Sequence, residues 1–223
     1  METGAARTRI RGFSFIPRPR RPPDAPAAAM TVLLIASSPT IPSRSTALLE
    51  AVGERLSRHG GRIERLAIRE LPPHALLGAE WTHPAIERAL DQVARARVVV
   101  VATPVYKAAY SGVLKVFLDL LSQHALKGKT VLPLATGGSP HHMLALDYAL
   151  RPVLQTLSAR HILPGIYATD SQITLTPEGA HHVHADVGRR LDEAAEVLAA
   201  EALGLRATHG FESIAFSQVR CSV

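Results

Sequence analysis

The feature that most narrows the fold of this chain is a recurring alternation. Short unbroken runs of Val, Leu and Ile are each followed by a longer stretch whose apolar residues recur three and four apart. The first run is Val32-Leu33-Leu34-Ile35 and the most extreme is Val98-Val99-Val100-Val101. A run without polar alternation is a strand buried on both faces, as a parallel sheet requires. Parallel neighbours need crossovers, and a helix is the usual one. The runs predict strands over 32–36, 63–67, 98–103, 130–136 and 162–168, and the stretches between and after them predict helices over 43–58, 83–96, 111–123, 143–158 and 187–203. Alternation of this kind gives an α/β doubly wound sheet with helices on both faces.

Charge and composition exclude several classes. The net charge of +6 has the look of a nucleic-acid binder until it is located. Six arginines (Arg7, Arg9, Arg11, Arg18, Arg20, Arg21) against Glu2 and Asp24 place +4 of it in residues 1–29, leaving +2 for all that follows. The folded part therefore offers no electrostatic case for nucleic acid. No apolar run is long enough to span a bilayer. The single cysteine, Cys221, permits no intrachain disulfide and fits a reducing, cytoplasmic setting. Residues 1–29, rich in Arg, Pro and Ala and without periodicity, read as a disordered leader. Met30 stands directly before the first strand, so translation is expected to begin there; the competing reading is an Arg-rich targeting peptide. Residues 30–205 form the expected domain and 206–223 a loose tail.

Ligands of such a sheet bind beyond the carboxyl ends of its strands, near the point where strand order reverses. Three loops on that edge stand out. The first, Ser37-Ser38-Pro39-Thr40-Ile41-Pro42-Ser43-Arg44-Ser45, supplies small hydroxyls, one guanidinium and the free amides of a helix N-terminus. That set suits a phosphate dianion. The loop carries neither the P-loop nor the GxGxxG pattern, and Ser43 also reads as a plain helix cap. The second, Thr103 through Gly112, starts with a proline just past the strand, and its small residues leave room for a flat ring against the main chain. An ordinary turn with locally packed tyrosines fits it equally well. The third, Ala135-Thr136-Gly137-Gly138-Ser139, permits close backbone approach, though Gly-Gly is also a plain way to leave a strand. Each loop is weak alone; together they share one edge.

These stretches are also recognisable. Ser38-Pro39 with Pro42-Ser43-Arg44-Ser45, then Ala102 through Gly112, Val131 through Gly138 and Asp147-Tyr148-Ala149-Leu150, resemble the flavodoxin-like NADPH-dependent FMN reductases of two-component alkanesulfonate monooxygenase systems. The resemblance runs from Met30 to about Asp170 and implies a five-stranded parallel sheet of order 2-1-3-4-5. It implies that Ser38, Ser43, Arg44 and Ser45 hold the FMN phosphate and that Pro104, Val105 and Tyr106 line the ribityl and ring region. Thr136, Gly137 and Gly138 would meet the isoalloxazine edge, with Thr40, Lys107 and Ser139 also among the cofactor-binding residues. Tyr148 would mark a one-residue insertion that makes a π-bulge at a tetramer interface and controls flavin release, the single catalytic assignment. The implied reaction is hydride transfer from NADPH to FMN, with the cofactor carrying the chemistry. Reduced FMN would pass to a partner flavin-dependent monooxygenase that desulfonates sulfonates, and the chain would form a homo-oligomer, a dimer or tetramer. Many relatives carry Gly at Ser37 and Arg at Thr40, so Arg44 is left as the cation of the first loop here.

Three other functions share parts of the pattern: an FMN-bound quinone or azo reductase, a non-enzymatic electron carrier (usually strongly acidic), and a flavin-free scaffold. Elsewhere, His181-His182-Val183-His184 has only Asp186 as a nearby carboxylate and reads as a solvated loop in preference to a metal site. His141-His142 opens the helix after the third loop and meets either solvent or a dinucleotide phosphate. Trp81 reads as a packing anchor, and Lys115 with Asp119 as a surface pair four residues apart.

Overall fold

The computed structural model describes residues 30–159, 161–176 and 181–202. The expected leader over 1–29 and tail over 206–223 lie outside the described residues. Strands β1 (Thr31–Ala36), β2 (Arg62–Ala67), β3 (Val98–Tyr106) and β5 (Thr130–Gly137) pair in parallel in the order β2-β1-β3-β5. At the far edge, β6 (His161–Ile162) and β7 (Ile166–Thr169) both pair in parallel with β5. Taken as one interrupted strand they complete the order 2-1-3-4-5. The interruption corrects the unbroken strand expected over 162–168. Leu163-Pro164-Gly165 separates the two pieces, and a proline has no N–H to give a ladder.

The period-2 geometry of the strands divides the core into two. Val98, Val100 and Ala102 join Val32, Leu34, Leu132 and Leu134 on one face, against Leu48, Val52 and Leu56 of α1 (Arg44–Arg58) and Val187, Leu191 and Leu198 of α6 (Ala185–Ala202). Val99 and Val101 point the other way with Leu33, Ile35 and Val131. They meet Ile86 and Val93 of α3 (Pro84–Arg95) and Leu114 and Phe117 of α4 (Gly112–Asp119). Burial of both sheet faces is what the unbroken apolar runs require.

Other expectations change at their ends. The helix expected to Gln123 stops at Asp119. In place of one helix over 143–158 there is a 3-10 turn (Pro140–Leu144), a π-helical turn (Leu146–Leu150) and then α5 (Arg151–Thr156). Pro152 has no N–H for the carbonyl four residues back, so the α ladder is broken over the turn that holds Tyr148. Four short elements among those that escaped the sequence pattern are α2 (Pro73–Leu77), β4 (Ala109–Tyr110), and the hairpin strands β8 (Ile173–Leu175) and β9 (His181–Val183). The solvated loop expected at 181–184 is thus for the most part a strand, with His182 paired opposite Thr174. Among the described residues no helix is long and apolar enough to cross a membrane.

Candidate functional site

The carboxyl edge of the sheet is knit together by buried hydroxyls. Ser37, fully buried after β1, donates both its N–H and its Oγ to the carbonyl of Ala102, at 3.0 and 2.8 Å. Ser111 Oγ donates back to Ser37 O at 2.9 Å, while Ser111 N–H donates to Thr103 Oγ1 at 2.9 Å. The loops after β1 and β3 are therefore fastened to one another beneath the surface. Ser37 supplies part of the fastening.

Above that floor, one open cleft of about 210 Å³ is lined by residues from all three loops. Ser38, Thr40, Pro42, Ser43 and Arg44 come from the first, Pro104, Val105 and Tyr106 from the second, and Thr136, Gly137 and Gly138 from the third. Asp170, just past β7, completes the lining. Ser43 caps α1 by accepting from Thr46 N–H at 3.3 Å. The earlier amides of that first turn, those of Arg44 and Ser45, have no intrahelical acceptor and remain available to a ligand. Arg44 is half exposed, donates Nε to Ile173 O at 3.2 Å, and has Nη1 3.9 Å from Asp170 Oδ2.

The third loop is shaped by glycine. A Cβ on Gly137 would lie 2.6 Å from the hydroxyl of Tyr167, which itself donates to Ser139 O at 2.6 Å. Burial, and to a lesser degree the charge of Asp170, push that phenol above its usual pKa. At Gly138 a Cβ would meet only Asp170 Oδ2, at 3.8 Å, so the backbone there is open to the cleft.

The second loop contains a hairpin. Val105 pairs with Tyr110 and Tyr106 with Ala109, so Lys107 and Ala108 form a two-residue turn with φ of 49° and 62°. Positive φ at both positions is the I′ geometry that matches strand twist, here without the usual glycine or asparagine.

Four expected site residues do not line the cleft. Ser45 is buried, its hydroxyl 3.0 Å from that of Ser43. Lys107 sits exposed on the hairpin turn. Ser139 accepts from His141 N–H and opens the 3-10 turn. Tyr148 is 79% exposed on the π turn, and His141 is exposed on the 3-10 turn before it. Conversely, Asp170 was missed, though its place just beyond the fifth strand put it on the ligand edge. Trp81, expected as a packing anchor, is 55% exposed and is tied down by Nε1 donating to Leu120 O at 3.2 Å, and Lys115 pairs with Asp119. Among the described residues no group of three or more His, Cys, Asp and Glu side chains is gathered to hold a metal.

A 2-1-3-4-5 parallel sheet with a phosphate-suited cleft at its carboxyl edge defines the flavodoxin-like oxidoreductase class. Within that class the chain belongs to the NADPH-dependent FMN reductase family, whose sequence profile matches residues 30–174. It is 49% identical over 144 residues to "FMN reductase (NADPH)" of Escherichia coli K12, covering 65% of this chain and 75% of that one. It is 32% identical over 156 residues to the "NADH-dependent FMN reductase SfnE" of Pseudomonas putida, covering 65% and 79%. Among solved structures, the apo form of an NADH:FMN oxidoreductase (EMOB) superposes with a TM-score of 0.69 at 37% identity, over 77% of this chain and 89% of the other. The chain is accordingly an NAD(P)H-dependent FMN reductase with FMN and NADPH as cofactors.

Proposed function

We propose that the protein reduces FMN with NADPH and releases the reduced flavin to a partner flavin-dependent monooxygenase acting on sulfonates. The observation that carries this reading is the convergence of three loops on one open cleft whose donors suit a phosphate monoester. The fit is chemical: a helix N-terminus, the hydroxyls of Ser38, Thr40 and Ser43, and the Arg44 guanidinium are a dianion's donors. Ser45 supports the phosphate by positioning Ser43 and by offering its amide. Pro104, Val105 and Tyr106 flank the ribityl chain and ring, and Gly137 with Gly138 takes the polar ring edge against main chain.

FMN, when bound, supplies the redox chemistry, accepting hydride equivalents from the nicotinamide. The residues that line the cleft bind and orient the cofactor. Solvent access to the cleft, with Tyr106 47% exposed at its lip, favours a flavin that comes and goes. The outward Met143, Leu144 and Tyr148 support assembly of a homo-oligomer, dimer or tetramer, through that segment. NADPH oxidation by the full chain, followed by absorbance with and without added FMN, tests the reading. Turnover that requires and saturates with FMN is the expected result. Turnover with an electron acceptor but without added FMN points to a bound-flavin quinone or azo reductase, and no turnover with any flavin overturns the proposal.

A further inference from the structure

The cleft holds one guanidinium, and an acid stands beside it. Asp170 Oδ2 lies 3.9 Å from Arg44 Nη1 and faces the open side of Gly138, between the phosphate donors and the ring edge. Among the described residues no other carboxylate lines this cleft. Arg44 does not depend on Asp170 for its place, since Nε is also held by Ile173 O. Nor does the 3-10 turn after β7 (Asp170–Gln172) depend on that carboxylate, since Thr169 and Gln172 cap it reciprocally. A site built only to grip a dianion has no use for a negative charge at this point. Like charges repel, and the opposite charge of Arg44 is partly spent on its neighbour before any phosphate arrives.

We propose that Asp170 is an affinity-lowering counter-charge: it competes with the FMN phosphate for Arg44 and keeps the flavin exchangeable. This rests on reading the cleft as the FMN site. The Tyr167 phenol, raised chiefly by burial, is raised further by the charge of Asp170, whose field therefore reaches the wall of the third loop. Asp170 touches no reacting atom in this account; it sets how tightly the phosphate end is held. Flavins that lack a phosphate feel little of it.

The test compares FMN with riboflavin, which differ by the phosphate alone. Kd values are measured by flavin fluorescence on the full chain, for wild type, Asp170→Asn and Asp170→Glu, with melting temperatures as a check on folding. Asn is isosteric and Glu keeps the charge. Asp170→Asn is expected to tighten FMN about three- to tenfold, as removal of one near charge in a solvated site should. Riboflavin should change less than about twofold, Asp170→Glu should stay near wild type, and the FMN gain should shrink in about 1 M salt. In turnover, KM for FMN should fall with Asn while kcat falls or holds, as slower release dictates. A purely structural role would loosen both flavins together. The proposal is overturned if Asp170→Asn binds FMN no tighter than wild type, or tightens both flavins equally. A wild-type chain that binds neither flavin removes it along with the reading of the cleft; one that binds both with no Asn effect removes this proposal alone.

Discussion

Two crossovers leave the same edge of the sheet and begin in opposite ways. After β1 the chain enters α1 through a capped first turn, and eight of that helix's fifteen residues are buried. After β5 it passes through a 3-10 turn and a π turn before α5 starts, and Met143, Leu144 and Tyr148 point outward. The first crossover gathers unpaired amides and a cation at a fixed point. The second gives up regular hydrogen bonding and sets apolar side chains on the surface. On the proposed reading one edge serves two tasks, holding an anion and presenting a face, and the local backbone follows the task.

The contrast has measurable consequences. Leu48→Ala, at a fully buried position of α1, should cost about 2–5 kcal/mol in denaturant unfolding. A smaller loss would show that α1 is less integral than its burial implies. Gly137→Ala drives a methyl toward the Tyr167 hydroxyl and should cost about 1–3 kcal/mol, read the same way. Arg44→Ala should weaken FMN binding about tenfold, near 1.4 kcal/mol, with the melting temperature almost unchanged. A large drop in melting temperature instead would make Arg44 a structural residue through Ile173 and Asp170, and break the division of labour. Smallest of all, Tyr148→Ala should shift the unfolding free energy of the dissociated chain by no more than about 0.5 kcal/mol, since the side chain is 79% exposed.

The sheet was legible because Val98 through Val101 has only one economical use, a strand buried on both sides. The cleft was legible in ten of its residues because strand ends and glycine or proline punctuation mark where ligands approach. What escaped had no local signature. The β3–β4 hairpin turns on Lys107-Ala108, with neither Asn-Gly nor Asp-Gly to announce it. The π turn and α5 together keep Leu146, Leu150 and Leu154 buried at helical spacing, so apolar periodicity cannot separate the π turn from α-helix; it was anticipated from the family pattern around Tyr148 alone. Asp170 is an ordinary acid until the fold brings it to Arg44, 126 residues distant in sequence. Lys129 is similar: its ammonium donates to Ala94 O and Ala96 O at the end of α3, where burial lowers its pKa.

The buried hydroxyls of Ser37, Thr103 and Ser111 carry one further consequence. Because they join two loops below the cleft, the disorder those loops would otherwise keep is surrendered once, when the chain folds, and not again each time a ligand enters. The two loops also respond together. A change at Ser111 should be felt at the first loop, some seventy residues earlier in sequence, as a non-additive term in a double-mutant cycle with Ser37.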